Sequence, residues 1–172
     1  SIKYSGADKP LVLLDQRVLP HQVKWDDVDT IELTHTCIKE MRVRGAPAIA
    51  ITAALGIAVA ATKKKADFKT IEEIKKWFLD ALEYVGTSRP TAVNMFNAIK
   101  KLRVIVEEAA AKASSASVVL DAFVTEAERM FQEDIDFNKG IMVHGADFIE
   151  NLVAKNFPGD EGKVNVVTIC NT

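Results

Sequence analysis

Residues 46–61 read Ala-Pro-Ala-Ile-Ala-Ile-Thr-Ala-Ala-Leu-Gly-Ile-Ala-Val-Ala-Ala, without one charged position. No other stretch limits the fold so much. At helical periodicity the run has no polar face, so a helix built from it must be enclosed on every side, and its small residues let neighbours come close. Pro47 suits the first helical turn, where its missing N–H would be unpaired anyway. The helix is expected from Ala48 to about Thr62, with Lys63-Lys64-Lys65 complementing its negative end. The run is shorter than the roughly 20 residues a bilayer demands and is rich in Ala and Gly rather than Leu, so it reads as a core helix and not as a membrane span. Other helices must surround it.

The remaining composition agrees. The chain has 172 residues, 48 % of them hydrophobic and 27 % charged, which is that of a soluble globular protein and not of a disordered one. Its 22 basic and 24 acidic residues leave a formal charge of −2, so no general electrostatic case exists for nucleic acid or an anionic membrane. Cys37 and Cys170, far apart in sequence, form no disulfide framework, and a reducing compartment is the default.

Before the core helix, Leu11-Val12-Leu13-Leu14 is a short strand-like run and Pro20 breaks the next stretch, which predicts a small antiparallel meander over residues 1–25. Asp29 with Glu32 has capping-box spacing, and Leu33, Cys37, Ile38 and Met41 recur as the inner face of a first helix that closes at Gly45. Thr70 and Glu73 have the same spacing and open a helix to about Tyr84, with Ile71, Ile74, Phe78 and Leu82 inward. After Gly86, residues 91–112 read as a helix with Val93, Phe96, Ile99, Leu102 and Val106 in register. A break at 114–117 precedes helix over 118–138, continuing or restarting through Leu152. Pro158-Gly159 centres a turn, and residues 164–172 read as a strand that needs neighbours to pair with.

Three places carry candidate chemistry. In Val43-Arg44-Gly45-Ala46-Pro47-Ala48-Ile49 an arginine and a glycine stand just before a helix start, where free N–H groups and the helix dipole favour an anion and Arg44 can grip a phosphate with two N–H groups. A solvated arginine beside a glycine turn is the simpler alternative. Thr87-Ser88-Arg89-Pro90-Thr91 repeats the arrangement, although Ser88 or Thr91 can also serve as a plain helix cap. Two arginine-bearing helix starts in one small chain make a shared anion site more plausible than either alone. Cys170, in Thr168-Ile169-Cys170-Asn171-Thr172, ends an apolar strand, where open α/β sheets build ligand sites; a buried inert thiol is the commoner use. Cys37 reads as buried and inert, His35 as lying on the outer side of its helix, and His21 as a loop residue. His144 reads first as a histidine packed between helices, with a site role as the alternative. No histidine has metal-ligand spacing, and Asp134 and Asp136 lack a partner histidine, so no metal is expected.

Taken in order, Leu14-Asp15-Gln16 with Leu19-Pro20, the Val43–Ile49 string, Ser88-Arg89-Pro90-Thr91-Ala92-Val93-Asn94, then Asn138, Ile141, His144-Gly145-Ala146 and Cys170-Asn171-Thr172 resemble the N-terminal half of the methylthioribose-1-phosphate isomerase family. Each motif is short, the ordered set is specific, and the resemblance covers nearly the whole chain. The wider family includes regulatory subunits of a translation-initiation guanine-nucleotide exchange factor and the ribose-1,5-bisphosphate isomerases. The resemblance implies an aldose–ketose isomerase of methionine salvage, converting 5-methylthioribose 1-phosphate to 5-methylthioribulose 1-phosphate. It implies no metal or organic cofactor, a homodimer, and a cytoplasmic setting. Arg44, Gly45 and Ala46 would bind substrate and phosphate, Arg89 the phosphate or sugar oxygens, and Cys170 would be catalytic with Asn171 and Thr172 in the same site.

The fold so implied is α+β: an antiparallel meander and helical bundle over residues 1–139, then over 140–172 the first helix and strand of a Rossmann-like domain. The family's catalytic aspartate lies well beyond the cysteine, and the glycine-rich run that comes after Cys-Asn-Thr in the family is not in this sequence. The expectation is therefore an N-terminal portion whose partner is the remaining C-terminal half, inactive by itself. A non-catalytic regulatory subunit and a ribose-1,5-bisphosphate isomerase are the competing expectations.

Overall fold

The computed structural model describes residues 1–156 and 164–169. It divides into two compact units, residues 1–130 and 131–172. Among the described residues the protein is mostly helical with one small sheet, as expected.

The first unit begins with β1 (Ile2–Lys3), β2 (Leu11–Leu14) and β3 (Trp25–Val28), an antiparallel meander of order β1-β2-β3. Ile2 opposes Leu13, and Leu11 opposes Val28. Alternation along β2 puts Leu11 and Leu13 on the buried face, which sets the register. The meander extends to Val28 because the segment after Pro20 first makes a loop, so β3 lies at and beyond the limit of 25 that the sequence suggested. Tyr4 Oη donates to Glu128 Oε1 at 2.7 Å and ties the sheet to the last helix.

Five helices come next: α1 (Ile31–Lys39), α2 (Ala46–Lys63), α3 (Ile71–Gly86), α4 (Val93–Lys112) and α5 (Ala116–Asn156). The cap of α1 is Thr30, whose hydroxyl accepts from Leu33 N, and not Asp29. Asp29 instead pairs with Lys63 at 2.5 Å. The inner face of α1 is Thr34, Cys37 and Ile38; Leu33 and Met41, expected inward, are exposed because the helix starts one residue later and stops at Lys39.

α2 is the enclosed helix that its composition demands. Every residue from Ile49 to Ala61 is buried, and α1, α3 and α4 all pack on it. It alone among the described helices is long and apolar enough to cross a membrane, and most of it is shielded by its neighbours instead. Gly56 allows the closest approach: a Cβ there would lie 2.6 Å from Thr34 Cγ2. The Thr70–Glu73 capping box of α3 is present in full, and Ile74, Phe78 and Leu82 are buried as expected; Ile71 stays partly exposed at the helix mouth. Phe78 stacks on Phe123 of α5 with ring centroids 4.2 Å apart. Each such side chain stabilises the fold by about 1.5–3 kcal/mol on burial. In α4 the buried stripe is Met95, Ala98, Leu102 and Val106, whereas Val93 and Phe96 face outward.

Residues 64–70 and 87–92 are short connections, so each reverses the chain between packed neighbours. α2 and α4 therefore run in the same direction, and their N-termini share one end of the bundle.

In the second unit α5 continues to Asn156, with Phe137, Ile141, Met142 and Phe148 exposed. Residues 164–169 form no strand, contrary to the sequence reading. A strand exists only through a hydrogen-bonded neighbour; the sheet contains β1, β2 and β3 alone, and Val167 and Ile169 stay exposed.

Candidate functional site

Gly45 is the N-cap of α2 at φ 96°, a region that favours glycine, and it offers no side chain to the first turn. Pro47 contributes no donor, while the Ala46 and Ala48 N–H groups lie in the turn that has no intrahelical acceptor. Beside this uncapped start Arg44 spends one N–H, at Nε, on Met41 O at a long 3.4 Å, and its guanidinium makes no ion pair among the described residues.

The nearby carboxylates are already taken. Arg42 donates to Asp26 (2.9 Å) and to Glu40 (2.9 Å), and Arg17 donates to Glu40 (2.8 Å) and Asp15 (2.7 Å). Gln16 N also donates to Arg42 O at 2.9 Å. This network clamps the segment carrying Arg44 to the sheet. Asp15 is buried, and the hydrogen bond from the Arg17 guanidinium lowers its pKa to about 2 despite the opposing cost of burial. Sequence reading missed this clamp, since charged partners from the segment after β2, from β3 and from the α1–α2 connection carry no periodic signal; the Leu14-Asp15-Gln16 string was its only trace.

At the start of α4 the expected hydroxyl caps are absent. Ser88 Oγ donates to Val85 O at 2.6 Å and Thr87 Oγ1 to Tyr84 O at 2.7 Å, so both serve the carbonyl end of α3. The N-cap of α4 is Ala92, with no side-chain hydrogen bond, because the turn through Pro90 moves the helix start past Ser88 and one residue past Thr91, the two hydroxyls expected to cap it. Arg89 Nη1 is shielded from solvent and has no acceptor among the described residues. A buried donor without a partner costs on the order of 1–3 kcal/mol, more when charged, and natural proteins rarely leave one without a reason.

Among the described residues one side-chain contact joins α1, which leads into the Arg44 connection, to the turn that carries Arg89. His35 Nε2 lies 3.1 Å from Thr87 Oγ1, and its ring stacks on Tyr84 with centroids 4.6 Å apart. His35 is therefore not an outward residue of α1 but a brace between α1 and the α3–α4 turn. Burial, with the Lys39 charge adding to it, lowers its pKa. Arg44 lies in the connection five residues past Lys39, the last residue of α1, and Arg89 two positions after Thr87, so the arginines stand on the connections that leave the two elements this contact joins.

Cys37 is buried and its thiol is pushed up by burial, as an inert core cysteine should be. His21 is exposed in its loop. His144 is exposed rather than packed between helices; within the second unit it lines a cavity of about 590 Å³ with Glu133, Phe137 and Ile141. Cys170, Asn171 and Thr172, the expected catalytic and binding residues, lie outside the described residues. Among the described residues no group of three or more His, Cys, Asp or Glu could hold a metal.

Comparison with known proteins supplies the context. The family described as "Initiation factor 2 subunit family" matches residues 42–172. A methylthioribose-1-phosphate isomerase of Leishmania major is 48 % identical over 174 residues, covering 100 % of this chain and 45 % of the relative. One from Verticillium alfalfae is 39 % identical over 172 residues and is covered to 42 %. The chain thus spans a little under half the length of these curated relatives. Among solved structures, the 5-methylthioribose 1-phosphate isomerase from Pyrococcus horikoshii aligns with a TM-score of 0.69 at 34 % identity, over 77 % of this chain and 35 % of that one. The delta subunit of the translation initiation factor eIF-2B from A. fulgidus aligns with a TM-score of 0.67 at 33 % identity, over 78 % of this chain and 37 % of that one.

Proposed function

The chain belongs to the initiation factor 2 subunit family, and within that family we propose that it is the N-terminal portion of an aldose–ketose isomerase that converts 5-methylthioribose 1-phosphate to 5-methylthioribulose 1-phosphate in methionine salvage. The observation that carries the proposal is Arg89 Nη1, a buried cationic donor without an acceptor among the described residues, at the end of the bundle where α2 also starts uncapped behind Arg44. A phosphate supplies what both positions lack: oxygens for the Arg44 and Arg89 guanidinium groups and for the first-turn N–H groups of α2.

The chemistry requires more than phosphate binding. The phosphate holds the anomeric oxygen, so ring opening needs assistance, and a hydrogen must then move between adjacent carbons in a pocket poor in water. Arginines anchor and orient the sugar phosphate. Cys170 would take part in the hydrogen transfer, with Asn171 and Thr172 beside it. The acid partner would come from the part of the relatives' length that this chain does not span. That remaining portion would form a Rossmann-like domain beginning near residue 140, in a cytoplasmic homodimer. The exposed Phe137, Ile141, Met142 and Phe148 of α5 support such a partner, since apolar side chains so grouped are normally covered.

The alignment with the initiation-factor delta subunit favours a second reading, a regulatory subunit acting through protein contacts. Calorimetric titration of the full-length protein with 5-methylthioribose 1-phosphate separates the two. The isomerase reading expects saturable binding, weakened by about tenfold or more in Arg89→Ala and in Arg44→Ala, the loss of roughly 1.4 kcal/mol or more in a charge-assisted hydrogen bond. No binding, or binding that both substitutions leave unchanged, makes the regulatory reading the better one.

A further inference from the structure

We infer that His35 is a positioning residue for the sugar-phosphate site: through Thr87 it fixes the α3–α4 turn that presents Arg89 against the α1 end that presents Arg44. The inference rests on the anion site proposed above and adds to it a residue that makes no contact with substrate.

Proton accounting supports the brace. Thr87 Oγ1 carries one hydrogen and lies 2.7 Å from Tyr84 O, a carbonyl that can only accept. That hydrogen is committed, so the 3.1 Å contact between His35 Nε2 and Thr87 Oγ1 must be filled from the histidine side. Nε2 therefore carries the hydrogen and donates into a hydroxyl lone pair. A histidine protonated at both nitrogens would donate in the same way, so the contact survives titration of the ring. Stacking on Tyr84, 4.6 Å away with the planes 22° apart, removes the ring's remaining freedom.

Both ends of the brace are rigid where it matters. On one side Thr87 and Ser88 hold the Tyr84 and Val85 carbonyls, so the turn leading into Arg89 is anchored on α3. On the other side Glu40 N donates to Thr36 O, Met41 N to Ile38 O and Arg42 N to Cys37 O, which folds the segment before Arg44 back onto the end of α1. His35 sits between these anchored pieces and joins them. Two guanidinium groups on separate connections can share one phosphate only if their spacing is held, and displacements of about 1 Å are costly in such sites.

The test uses the full-length protein and steady-state isomerisation of 5-methylthioribose 1-phosphate. His35→Ala and Thr87→Val should each raise KM by about five- to tenfold, and the double variant should raise it no further than the worse single, because both remove the same link. Thr87→Ser keeps the hydroxyl and should restore near-normal KM. Thermal midpoints taken in parallel separate positioning from folding: the KM effect should appear in variants whose midpoint is close to the parent's, and Thr87→Ser serves if the others unfold. Unchanged KM in His35→Ala and Thr87→Val, additive effects in the double variant, or a Thr87→Ser protein as impaired as Thr87→Val would overturn the inference. Arg89→Ala is the control. If it too leaves KM unchanged, the anion site itself is wrong; if it alone raises KM, the site stands and only the brace fails.

Discussion

Asp15 shows at the scale of one residue how the structure depends on pH. Its folded pKa of about 2 lies below the ordinary 3.8 because Arg17 hydrogen-bonds the charged carboxylate. A depressed acid contributes its full stability above the unfolded pKa and loses it as pH falls through the folded one. Stability from Asp15 should thus disappear between about pH 4 and pH 2, on the order of 2 kcal/mol. Urea titrations of the parent and of Asp15→Asn should show a gap at pH 7 that narrows as the pH approaches 2; a gap independent of pH would contradict the Arg17 pairing. Single residues also show which parts of the site could be read from sequence. That Arg44 and Gly45 stand at the start of α2 and Arg89 just before α4 was legible because the cue is local, an arginine and a turn residue next to a helix start. His35 was not, since its partner Thr87 lies 52 residues away and only the packing of α1 on α3 brings them together. Ser88 misled for the opposite reason: a hydroxyl between two helices can serve either, and the α3 carbonyls took it.

Elements were read best where composition left one solution. The apolar run had to be central, and α2 is. The phase of α4 was the weaker inference, because stripes through Val93 and Phe96 or through Met95 and Ala98 both continue into Leu102 and Val106 at helical spacing; the sequence favours the bulkier pair, while the turn through Pro90 sets the actual phase. The α1–α2 crossing offers a sharp test. Gly56→Ala gains about 1 kcal/mol of helix propensity but places a methyl against Thr34, whose hydroxyl is held by Thr30 O at 2.8 Å. Overpacking typically costs about 1–3 kcal/mol, so a net loss is expected by denaturant unfolding, partly recovered by adding Thr34→Ala. A stabilised Gly56→Ala protein would mean that the two helices do not approach as closely as described. At the start of α3, Thr70→Ala removes the capping hydroxyl and should lower stability by about 1 kcal/mol in the same measurement; no change would mean that Glu73 alone suffices.

For the whole molecule, fold class came from the order of elements: a short meander, one enclosed helix, and amphipathic helices around it. The last segment was not legible, because an apolar, β-rich run such as 164–169 predicts a strand whether or not a neighbour is present to pair with it. Family membership rests on a match over residues 42–172, and the chain spans 45 % of its Leishmania major relative. The proposed activity would belong to a protein of the relatives' full length, and its most direct measurement is phosphorus NMR of 5-methylthioribose 1-phosphate incubated with the full-length protein in metal-free buffer. The aldose phosphate signal should be replaced by that of 5-methylthioribulose 1-phosphate, and Cys170→Ser should slow the exchange by orders of magnitude while leaving binding largely intact. A folded full-length protein that leaves the aldose signal untouched would contradict the isomerase assignment.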